Sequence, residues 1–221
     1  MKFSNSKVLK LIKNKKTLVF DFDGVIADSV NIKGNAFYRL YSPYGEDIAQ
    51  KVLKYHLENL GESRYDKIKF YQSVLLGEKI SDDRIRVLSK KFSEMVVKDV
   101  VRSPEIEGVS CFIDACCNKS RSCDINSAAP QEEIRYIVNK RGIGKYFRNI
   151  YGSPATKTEN LKSSLSGRDK ASMVFFGDTK ADISAADAMS IDFVGIGEHM
   201  FDLIDSNNGR HFAVASFLDL V

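Results

Sequence analysis

The sequence predicts an α/β fold in which a parallel Rossmann-like sheet is sandwiched by helices, with an all-helical domain inserted after the first strand. Short apolar runs, too short for helices, recur along the chain and end abruptly in polar residues. Segments with helix-start signals separate most of these runs, and such alternation is typical of a parallel sheet covered on both faces. Residues 29–103 differ, because they show helical spacing and no convincing strand.

Four apolar runs predict strands, and a fifth segment is a weaker candidate. The four runs are residues 17–20, 173–176, 191–196 and 211–215. They are rich in residues that favour strands and are too short for typical helices. Residues 121–127 form the weaker candidate, because Asp124 and Asn126 interrupt the apolar pattern.

Three helices of the core have recognisable starts. Pro130 is followed by acidic residues, and we expect this proline at the first position of a helix. Thr156 and Glu159 have the spacing of a capping box, which predicts a second helix. Residues 181–189 are rich in alanine and predict a third.

The helical stretch divides the chain into two predicted domains. Its apolar side chains recur at helical spacing in three segments, which include Val52, Tyr71 and Phe92. We assign residues 1–28 and 104–221 to the α/β core, residues 29–103 to the helical domain, and residues 104–108 to the hinge that returns the chain to the core.

Two pairs of carboxylates follow predicted strands, at the sheet edge where open α/β sheets bind ligands. Asp21 and Asp23 come directly after the first strand, and residues two apart in an extended chain point the same way. Asp178 and Asp182 follow the run at residues 173–176. Four carboxylates brought together would repel one another unless a cation neutralised them, and oxygen ligands favour Mg²⁺. A polar turn at the first pair, and a helix-start acid at Asp182, are the alternative interpretations.

Two further polar residues are candidates for phosphate binding. Lys157 occupies the first position of the helix that Thr156 caps, where a cation is electrostatically disfavoured, so a bound anion is one explanation for it. Ser127 ends the weaker strand, and its hydroxyl could donate to a phosphate oxygen. An exposed lysine at a tolerant position and a serine in a strand-to-helix loop are the alternatives.

Four motifs occur in an order that resembles the haloacid dehalogenase-like (HAD) hydrolase superfamily. Asp21-Phe22-Asp23-Gly24 resembles the first motif, Ser127 the second, the segment that ends at Lys157 the third, and residues 177–182 the fourth. Each motif is weak to moderate alone, but the ordered set is specific and spans nearly the whole chain. The inserted helices are similar to the type-1 cap domain of phosphoglycolate phosphatase-like and β-phosphoglucomutase-like members. The polar strand before Ser127 departs from the apolar strand that is usual in this family.

The resemblance implies a catalytic role for the acidic residues. Asp21 would be the nucleophile that forms an aspartyl-phosphate. Asp23 would protonate the leaving oxygen and then deprotonate the attacking water. Mg²⁺ would be held by Asp21, the backbone carbonyl of Asp23 and Asp178, and Asp182 would complete or brace that site.

The resemblance also implies which residues bind the substrate. Ser127 and Lys157 would bind the phosphoryl oxygens. A segment of the cap domain would bring Arg64 and His56 to the substrate, and Arg64 would suit a carboxylate or a second phosphate. A surface loop that stabilises two helices is an equally good interpretation of this segment.

The predicted function is that of a Mg²⁺-dependent phosphatase acting on a small phosphorylated metabolite, either a sugar phosphate or an organic-acid phosphate. Asp23 favours phosphate esters over carbon–halogen bonds, because an alkoxide leaving group needs a proton and a halide does not. A phosphomutase of the β-phosphoglucomutase kind would use the same residues and stays open. The non-enzyme alternatives are an inactive binding protein and a phospho-receiver domain, although a receiver lacks the Asp-x-Asp motif and the helical insert.

Charge and hydropathy predict few other partners. The formal net charge is +4 for 221 residues, and no apolar run approaches the ~20 residues of a membrane span. We therefore expect no nucleic-acid or membrane partner. The densest basic tract, which contains Lys15, is interpreted as the solvated end of an amphipathic helix. Lysines interrupt the apolar positions after Met1, so we expect no signal peptide and a cytoplasmic location. We also expect a monomer or a homodimer.

The four cysteines predict no metal site. They lack C-x-x-C spacing, and the three histidines lie far from them in the sequence, so a zinc site is not expected. We expect reduced thiols that serve as small core residues.

Overall fold

The chain folds into a six-stranded parallel sheet with helices on both faces. The computed structural model describes residues 5–117, 121–205 and 209–221. The strands are β1 (Thr17–Phe20), β2 (Ser122–Pro130), β3 (Asn149–Ser153), β4 (Met173–Gly177), β5 (Asp192–Ile196) and β6 (His211–Val214). The α-helices are α1 (Asn5–Lys13), α2 (Val30–Tyr41), α3 (Glu46–Glu58), α4 (Arg64–Phe70), α5 (Asp82–Arg102), α6 (Val109–Cys117), α7 (Gln131–Lys140), α8 (Lys157–Leu165), α9 (Lys180–Met189) and α10 (Met200–Leu203). The predicted fold class is confirmed.

The five predicted strands are present, and the sequence analysis missed a sixth. All four apolar runs form strands, and the weaker candidate forms β2. The missed strand, β3, lies at one edge of the sheet, and its first three residues are only partly buried. An edge strand needs no continuous apolar run, which explains why the hydrophobic pattern did not reveal it.

The order of the strands places β1 at the centre of the sheet. The order is β3-β2-β1-β4-β5-β6, so successive strands run outward from β1 on one side and from β4 on the other. Phe20, the last residue of β1, is paired with Phe176 near the end of β4. The chain segments that follow these two strands therefore emerge side by side at the point where the strand order reverses, which is where open α/β sheets bind ligands.

Alternating residues of the strands face two apolar layers. Phe20 stacks on Phe176 with 4.8 Å between ring centroids, on the side where α1, α6 and α7 contribute to the core. Val19 and Phe175 face the opposite side, together with side chains from α8 and α9. Both faces of the sheet are thus removed from water, as the apolar runs require.

The polar residues of β2 have specific buried partners. Asp124 Oδ1 accepts hydrogen bonds from the backbone and side-chain nitrogens of Asn149 in β3, at 3.1 and 3.0 Å. Asn126 donates to the carbonyl of Lys157 at 3.0 Å and accepts from Asn160 at 3.0 Å. Because buried polar groups need such partners, these side chains fix β3 and α8 against β2 and explain the departure from an apolar strand.

The end of β2 differs from the prediction in two details. The strand continues past Ser127 to Pro130, and its pairing with β3 is irregular between Asn126 and Pro130. Pro130 is the N-cap of α7, and Gln131 takes the first helical position. The acidic residues after Pro130 do lie in the first turn, as predicted.

Helices α2 to α5 pack on one another and enclose an aromatic cluster. Phe37 lies 4.1 Å from Phe92 and 5.4 Å from Tyr71, measured between ring centroids. After α4, Tyr71–Leu75 continues the helix as a π-helical turn. The helical spacing predicted for residues 29–103 is therefore confirmed, whereas their independence as a domain stays a prediction.

The entry to and exit from the helical segment run next to each other. The backbone N–H of Asp28 donates to the carbonyl of Pro104 at 2.9 Å, and that of Ile106 donates to Ile26 at 3.1 Å. Ala27 and Glu105 form an isolated antiparallel bridge. The two connections are therefore hydrogen-bonded to each other, whereas the hinge and the domain boundaries stay predictions.

Two residue-level expectations need correction. Lys15, predicted to be solvated, is buried, forms an ion pair with Asp192 and donates to the carbonyl of Ala171. Cys116 and Cys123 are buried as expected, but Cys111 is exposed. The side chain of Cys117 lies outside the described part of the chain.

No helix in the described residues has the length and apolar character that a membrane crossing requires.

Candidate active site

The carboxylates that follow β1 and β4 meet at the centre of the sheet edge. Asp21, Asp178 and Asp182 are all buried, and each offers an oxygen within 4.8 Å of the others. Asp21 is fixed by its backbone N–H, which donates to Phe176 at 2.8 Å, and by the N–H of Phe22, which donates to its Oδ1 at 2.7 Å. The structure therefore brings together three of the four acids that the sequence singled out.

Lys157 links two of these acids. Its Nζ donates to Asp21 Oδ2 at 2.7 Å and to Asp182 Oδ1 at 2.5 Å. The predicted capping box of Thr156 and Glu159 is present, and it starts α8 at Lys157. Burial alone would lower the pKa of Lys157, but the carboxylates of Asp182 and Asp21 outweigh burial and raise it, so the side chain is a cation.

Both oxygens of Asp182 already have partners. Its Oδ2 accepts from the backbone N–H and the hydroxyl of Thr179, at 3.1 and 2.6 Å, in a second capping box that starts α9. Its Oδ1 accepts from Lys157. Asp182 therefore braces Lys157 and Thr179, and its completion of the metal site stays a prediction.

Asp178 and Asp21 are in an environment that disfavours their charged forms. Burial is the largest cause that raises the pKa of Asp178 well above its usual range, and the neighbouring carboxylates of Asp21 and Asp182 raise it further. Burial likewise raises the pKa of Asp21 to about 7, although Lys157 opposes this shift. Asp178 Oδ1 is buried without a hydrogen-bond partner. A free lone pair among crowded carboxylates is what a hard divalent cation would fill, so these residues fit Mg²⁺.

Gly24 lets the two loops approach closely. It adopts a φ of +79°, and a Cβ atom at this position would lie 2.0 Å from Asp178 Oδ2. A larger residue would therefore displace the carboxylate of Asp178 as well as strain the backbone.

Asp23 lines the same cavity as Asp21 and Asp178 but is not one of the three clustered carboxylates. Lys33, on α2, forms an ion pair with it, and Ser29 Oγ donates to its Oδ1 at 2.5 Å. Burial would raise the pKa of Asp23, but Lys33 and Ser29 together outweigh burial and hold it below its usual range. The side chain is thus a carboxylate in this arrangement, and metal binding through its backbone carbonyl stays a prediction.

Ser127 lies next to the cavity but is not one of the residues that line it. Its hydroxyl is buried and accepts a hydrogen bond from the backbone N–H of Ala129 at 3.1 Å. Ala128 and Ala129 themselves line the cavity. The contact predicted between Ser127 and a phosphoryl group stays a prediction.

A cavity of about 60 Å³ separates the carboxylates from the helical segment. Asp21, Asp23 and Asp178 line it from the sheet edge, and Arg64 and His56 line it from the opposite side. Both predicted substrate residues therefore line the cavity, but each already has a partner in the protein, and their contact with a substrate stays a prediction.

Arg64 is held by an acidic residue of the core. Its guanidinium makes two hydrogen bonds to Glu133 on α7, at 2.8 and 2.5 Å, and one to Ser93 at 2.7 Å. It also lies over the ring of Phe92, 4.3 Å from the centroid. These contacts make Arg64 a connection between the helical segment and the core.

His56 is a neutral residue in this arrangement. It is buried, and burial is the largest cause that lowers its pKa to about 3, with Lys67 and Lys33 adding to the effect. Its Nδ1 lies 2.9 Å from Lys67 Nζ.

Three charged residues of the site were missed from the sequence. Lys67 lies three residues after Arg64 on α4, so helical spacing predicts that the two share a face, and this signal could have revealed it. Lys33 is one turn after Ser29, which gives a weaker signal of the same kind. Glu133 lies four residues before Ile137, so helical spacing places it beside the apolar face of α7, and this signal could have separated it from its exposed neighbour Glu132.

The class of protein follows from the position of this cluster. Buried carboxylates, held by a lysine at the strand-order reversal of a parallel sheet, are typical of an α/β enzyme that uses acidic residues for its chemistry. The sequence-family model described as haloacid dehalogenase-like hydrolase matches residues 18–196, and the chain belongs to this family. A search of curated proteins finds no match.

Solved structures share the fold at low sequence identity. A β-phosphoglucomutase from Clostridium difficile is 19% identical with a TM-score of 0.75, and the alignment covers 94% of this chain and 93% of that one. CbbY from Rhodobacter sphaeroides, solved in complex with phosphate, is 13% identical with a TM-score of 0.72, over 93% of this chain and 96% of that one. A predicted phosphatase from Clostridium acetobutylicum is 15% identical with a TM-score of 0.72, over 93% and 96%.

Proposed function

We propose that the chain is a Mg²⁺-dependent phosphatase that hydrolyses a small phosphorylated metabolite through an aspartyl-phosphate. The observation that supports this most directly is the meeting of Asp21, Lys157 and Asp178 at one buried point, where Asp178 Oδ1 has no hydrogen-bond partner. A nucleophile, a cation that faces it and a free carboxylate oxygen are the groups that phosphoryl transfer to a carboxylate requires.

Asp21 is the proposed nucleophile. One of its carboxylate oxygens attacks phosphorus, and the bond between phosphorus and the alcohol oxygen breaks. Asp23 gives a proton to that oxygen, which leaves as the alcohol. In the second step Asp23 takes a proton from water, and the water oxygen attacks the aspartyl-phosphate, which releases inorganic phosphate and restores Asp21.

Positive charge is needed because two anions must meet at bonding distance. Lys157 is buried against Asp21 and is the proposed binder of the phosphoryl oxygens, together with Ser127. Asp21, Asp178 and the backbone carbonyl of Asp23 are the proposed Mg²⁺ ligands. When bound, Mg²⁺ supplies electrostatic stabilisation of the charge on the phosphoryl group.

The contact between Lys33 and Asp23 indicates how the helical segment takes part. Asp23 must hold a proton to act as an acid, whereas Lys33 stabilises its carboxylate form. Because Lys33 lies on α2, movement of the helical segment would release Asp23. We propose that residues 29–103 are a cap domain that opens to admit substrate and closes to exclude water.

The substrate is proposed to be a sugar phosphate or an organic-acid phosphate. A cavity of about 60 Å³ holds a few water molecules and favours a compact substrate. Relatives of this fold include a β-phosphoglucomutase and a predicted phosphoglycolate phosphatase from Haemophilus somnus. A phosphomutase stays the alternative, and measuring inorganic phosphate release against isomerisation of a sugar phosphate separates the two.

The decisive experiment is hydrolysis of p-nitrophenyl phosphate with Mg²⁺ and with EDTA. We expect activity with Mg²⁺, background rates with EDTA, and recovery when Mg²⁺ is returned. Asp21→Asn should lower kcat by at least about 1,000-fold, the order expected when a nucleophile is removed. Asp83→Asn, which changes an exposed carboxylate on α5, is the matched control and should leave kcat unchanged. Full activity in Asp21→Asn would contradict the assignment of the nucleophile.

The remaining proposals follow the sequence analysis. We propose a cytoplasmic enzyme, monomeric or homodimeric, that needs no nucleic-acid or membrane partner. Gel filtration with light scattering tests the oligomeric state.

A further inference from the structure

Three cationic side chains line the cavity on the side of the helical segment. They are Lys33, Arg64 and Lys67. Lys33 is paired with Asp23, and Arg64 is paired with Glu133. None of the ion pairs formed by the described residues includes Lys67. Of the three cations, Lys67 is therefore the one that has no ion-paired carboxylate among the described residues.

Lys67 is almost completely removed from water. Only 3% of its surface is exposed. Its Nζ contacts the ring nitrogen Nδ1 of His56 at 2.9 Å and the backbone carbonyl of His56 at 3.5 Å. Both partners are neutral, because burial keeps His56 uncharged. A buried ammonium group with only neutral partners is unfavourable, and such groups normally pair with an anion.

We propose that Lys67 binds an anionic group of the substrate, a carboxylate or a second phosphate, that is remote from the phosphoryl group attacked by Asp21. This inference rests on the proposed phosphatase function and deepens it. A substrate held between Asp21 and Lys67 would span the cavity, with its reacting phosphoryl group at the sheet edge and its second anion at α4.

The geometry favours Lys67 over Arg64 for this role. The guanidinium of Arg64 is engaged by both oxygens of Glu133, so a substrate anion would have to compete with a buried carboxylate. Lys67 forms no ion pair with a described residue, and the carboxylate of Glu62 attracts it only from beyond ion-pair distance. Arg64 and Lys67 lie on one face of α4, three positions apart. The family resemblance points to Arg64, whereas the cation without an ion-pair partner is Lys67, its neighbour on that face.

The electrostatics of the neighbourhood agree with this assignment. Burial is the largest cause that lowers the pKa of Lys67 to about 7, and Lys33 lowers it further, while Glu62 and Asp23 act in the opposite direction. A bound anion would stabilise the ammonium form of Lys67. The proposed ligand would therefore form the ion pair that Lys67 does not form with the described residues.

The test compares substrates that differ only in having a second anionic group. The pairs are 3-phosphoglycerate against glycerol 3-phosphate, for a carboxylate, and glucose 1,6-bisphosphate against glucose 1-phosphate, for a phosphate. We expect the wild-type enzyme to prefer the more anionic member of one pair in kcat/KM. Lys67→Met should reduce that preference by about 10-fold or more, since a charge-assisted hydrogen bond to the substrate is lost. Lys67→Arg should retain part of it.

Lys69→Met is the matched control, because Lys69 lies on the same helix and is exposed. Its preference should equal that of the wild type. An unchanged ratio in Lys67→Met, or no preference in either pair for the wild type, would overturn the inference. Hydrolysis of p-nitrophenyl phosphate separates these outcomes from failure of the proposed function. If the wild type hydrolyses this ester in a reaction that depends on Asp21, the phosphatase function stands and only the role of Lys67 is overturned. If no phosphate ester is hydrolysed, both proposals fall.

Discussion

Charged residues of the same type have different roles in this protein because their partners differ. Lys15 closes a structural ion pair with Asp192, Lys157 neutralises Asp21, and Lys67 has only neutral partners. The free energy of burying a lysine is large, so the partner decides whether the residue stabilises the fold or leaves a charge for a ligand. Burial without an anionic partner is therefore the feature that marks a candidate binding residue.

The lowered pKa of Lys67 predicts a specific pH dependence of stability. In the unfolded chain a lysine has a pKa of about 10.4, whereas burial lowers the pKa of Lys67 to about 7 in the folded protein. Between these values the unfolded chain binds more protons, so this contribution makes the folded protein more stable as pH rises from 7. Below pH 7 both states are protonated, and the full cost of burying the charge is present.

Urea unfolding at pH 7, 8 and 9, with EDTA present, measures this effect. The free energy of unfolding of the wild type relative to Lys67→Met should rise with pH, by up to about 1.4 kcal/mol per pH unit. Lys69→Met should follow the wild type at every pH, because Lys69 is exposed. A constant difference between wild type and Lys67→Met would show that Lys67 titrates as an exposed lysine does.

At the scale of secondary structure, the start of α8 connects helix stability to the site. Thr156 Oγ1 accepts from the backbone N–H of Glu159 at 3.2 Å, and the side chain of Glu159 returns a contact to the backbone of Thr156 at 2.7 Å. Asn126 of β2 binds the carbonyl of Lys157. The capping box and the buried Asn126 together fix the position of Lys157 at the start of α8.

Thr156→Ala tests this connection. Loss of the cap should lower the free energy of unfolding by about 1 kcal/mol. It should also lower kcat several-fold, because Lys157 loses its fixed position. Ser81→Ala removes an equivalent cap from α5, where Ser81 accepts from the backbone of Arg84 at 3.3 Å. That control should cost similar stability and leave kcat unchanged, so equal activities in the two variants would contradict a role for the cap in positioning Lys157.

At the scale of the whole molecule, three contacts join the helical segment to the core around the cavity. They are the ion pair of Lys33 with Asp23, the ion pair of Arg64 with Glu133, and the approach of Gly61 to Thr179. Gly61 has a φ of +85°, and a Cβ atom there would lie 2.7 Å from Thr179 Oγ1. Separating the helical segment from the core would break the buried ion pair of Arg64 with Glu133 and the partly buried ion pair of Lys33 with Asp23.

The pair of Arg64 and Glu133 should be the strongest of these links. Removing either partner leaves the other charge buried, so Arg64→Met and Glu133→Leu should each cost about 3 kcal/mol or more of unfolding free energy. The double variant should recover most of that loss, because no unpaired charge remains. The measurement is a double-mutant cycle by urea unfolding.

An exposed pair on the same helix is the control. Arg135 and Glu132 lie 3.2 Å apart on α7, and their side chains are 54% and 85% exposed. The cycle with Arg135→Met and Glu132→Leu should give a coupling of no more than about 0.5 kcal/mol, because water screens the pair. Equal couplings in the two cycles would mean that the Arg64 pair does not join the segments.

The amino-acid sequence by itself determined the alternation of strands and helices, the inserted helical stretch, the capping box at Thr156 and the acids at Asp21 and Asp178. These features depend on residues that are neighbours in the chain, through apolar period, turn chemistry and capping. β3 was not predicted because an edge strand carries only a partial apolar pattern.

Only the tertiary structure decided which charges are buried and what they face. Glu133 is buried whereas Glu132 is exposed, although both lie in α7. Lys67 is buried whereas Lys69 is exposed, although both lie in α4. Desolvation and ion pairing depend on segments far apart in sequence, such as α4 against α7, so helical spacing shows which residues share a face but not whether that face is buried or what it pairs with. The same physical reason places the proposed anion-binding residue at Lys67, where folding removes water and provides no ion-pair partner among the described residues.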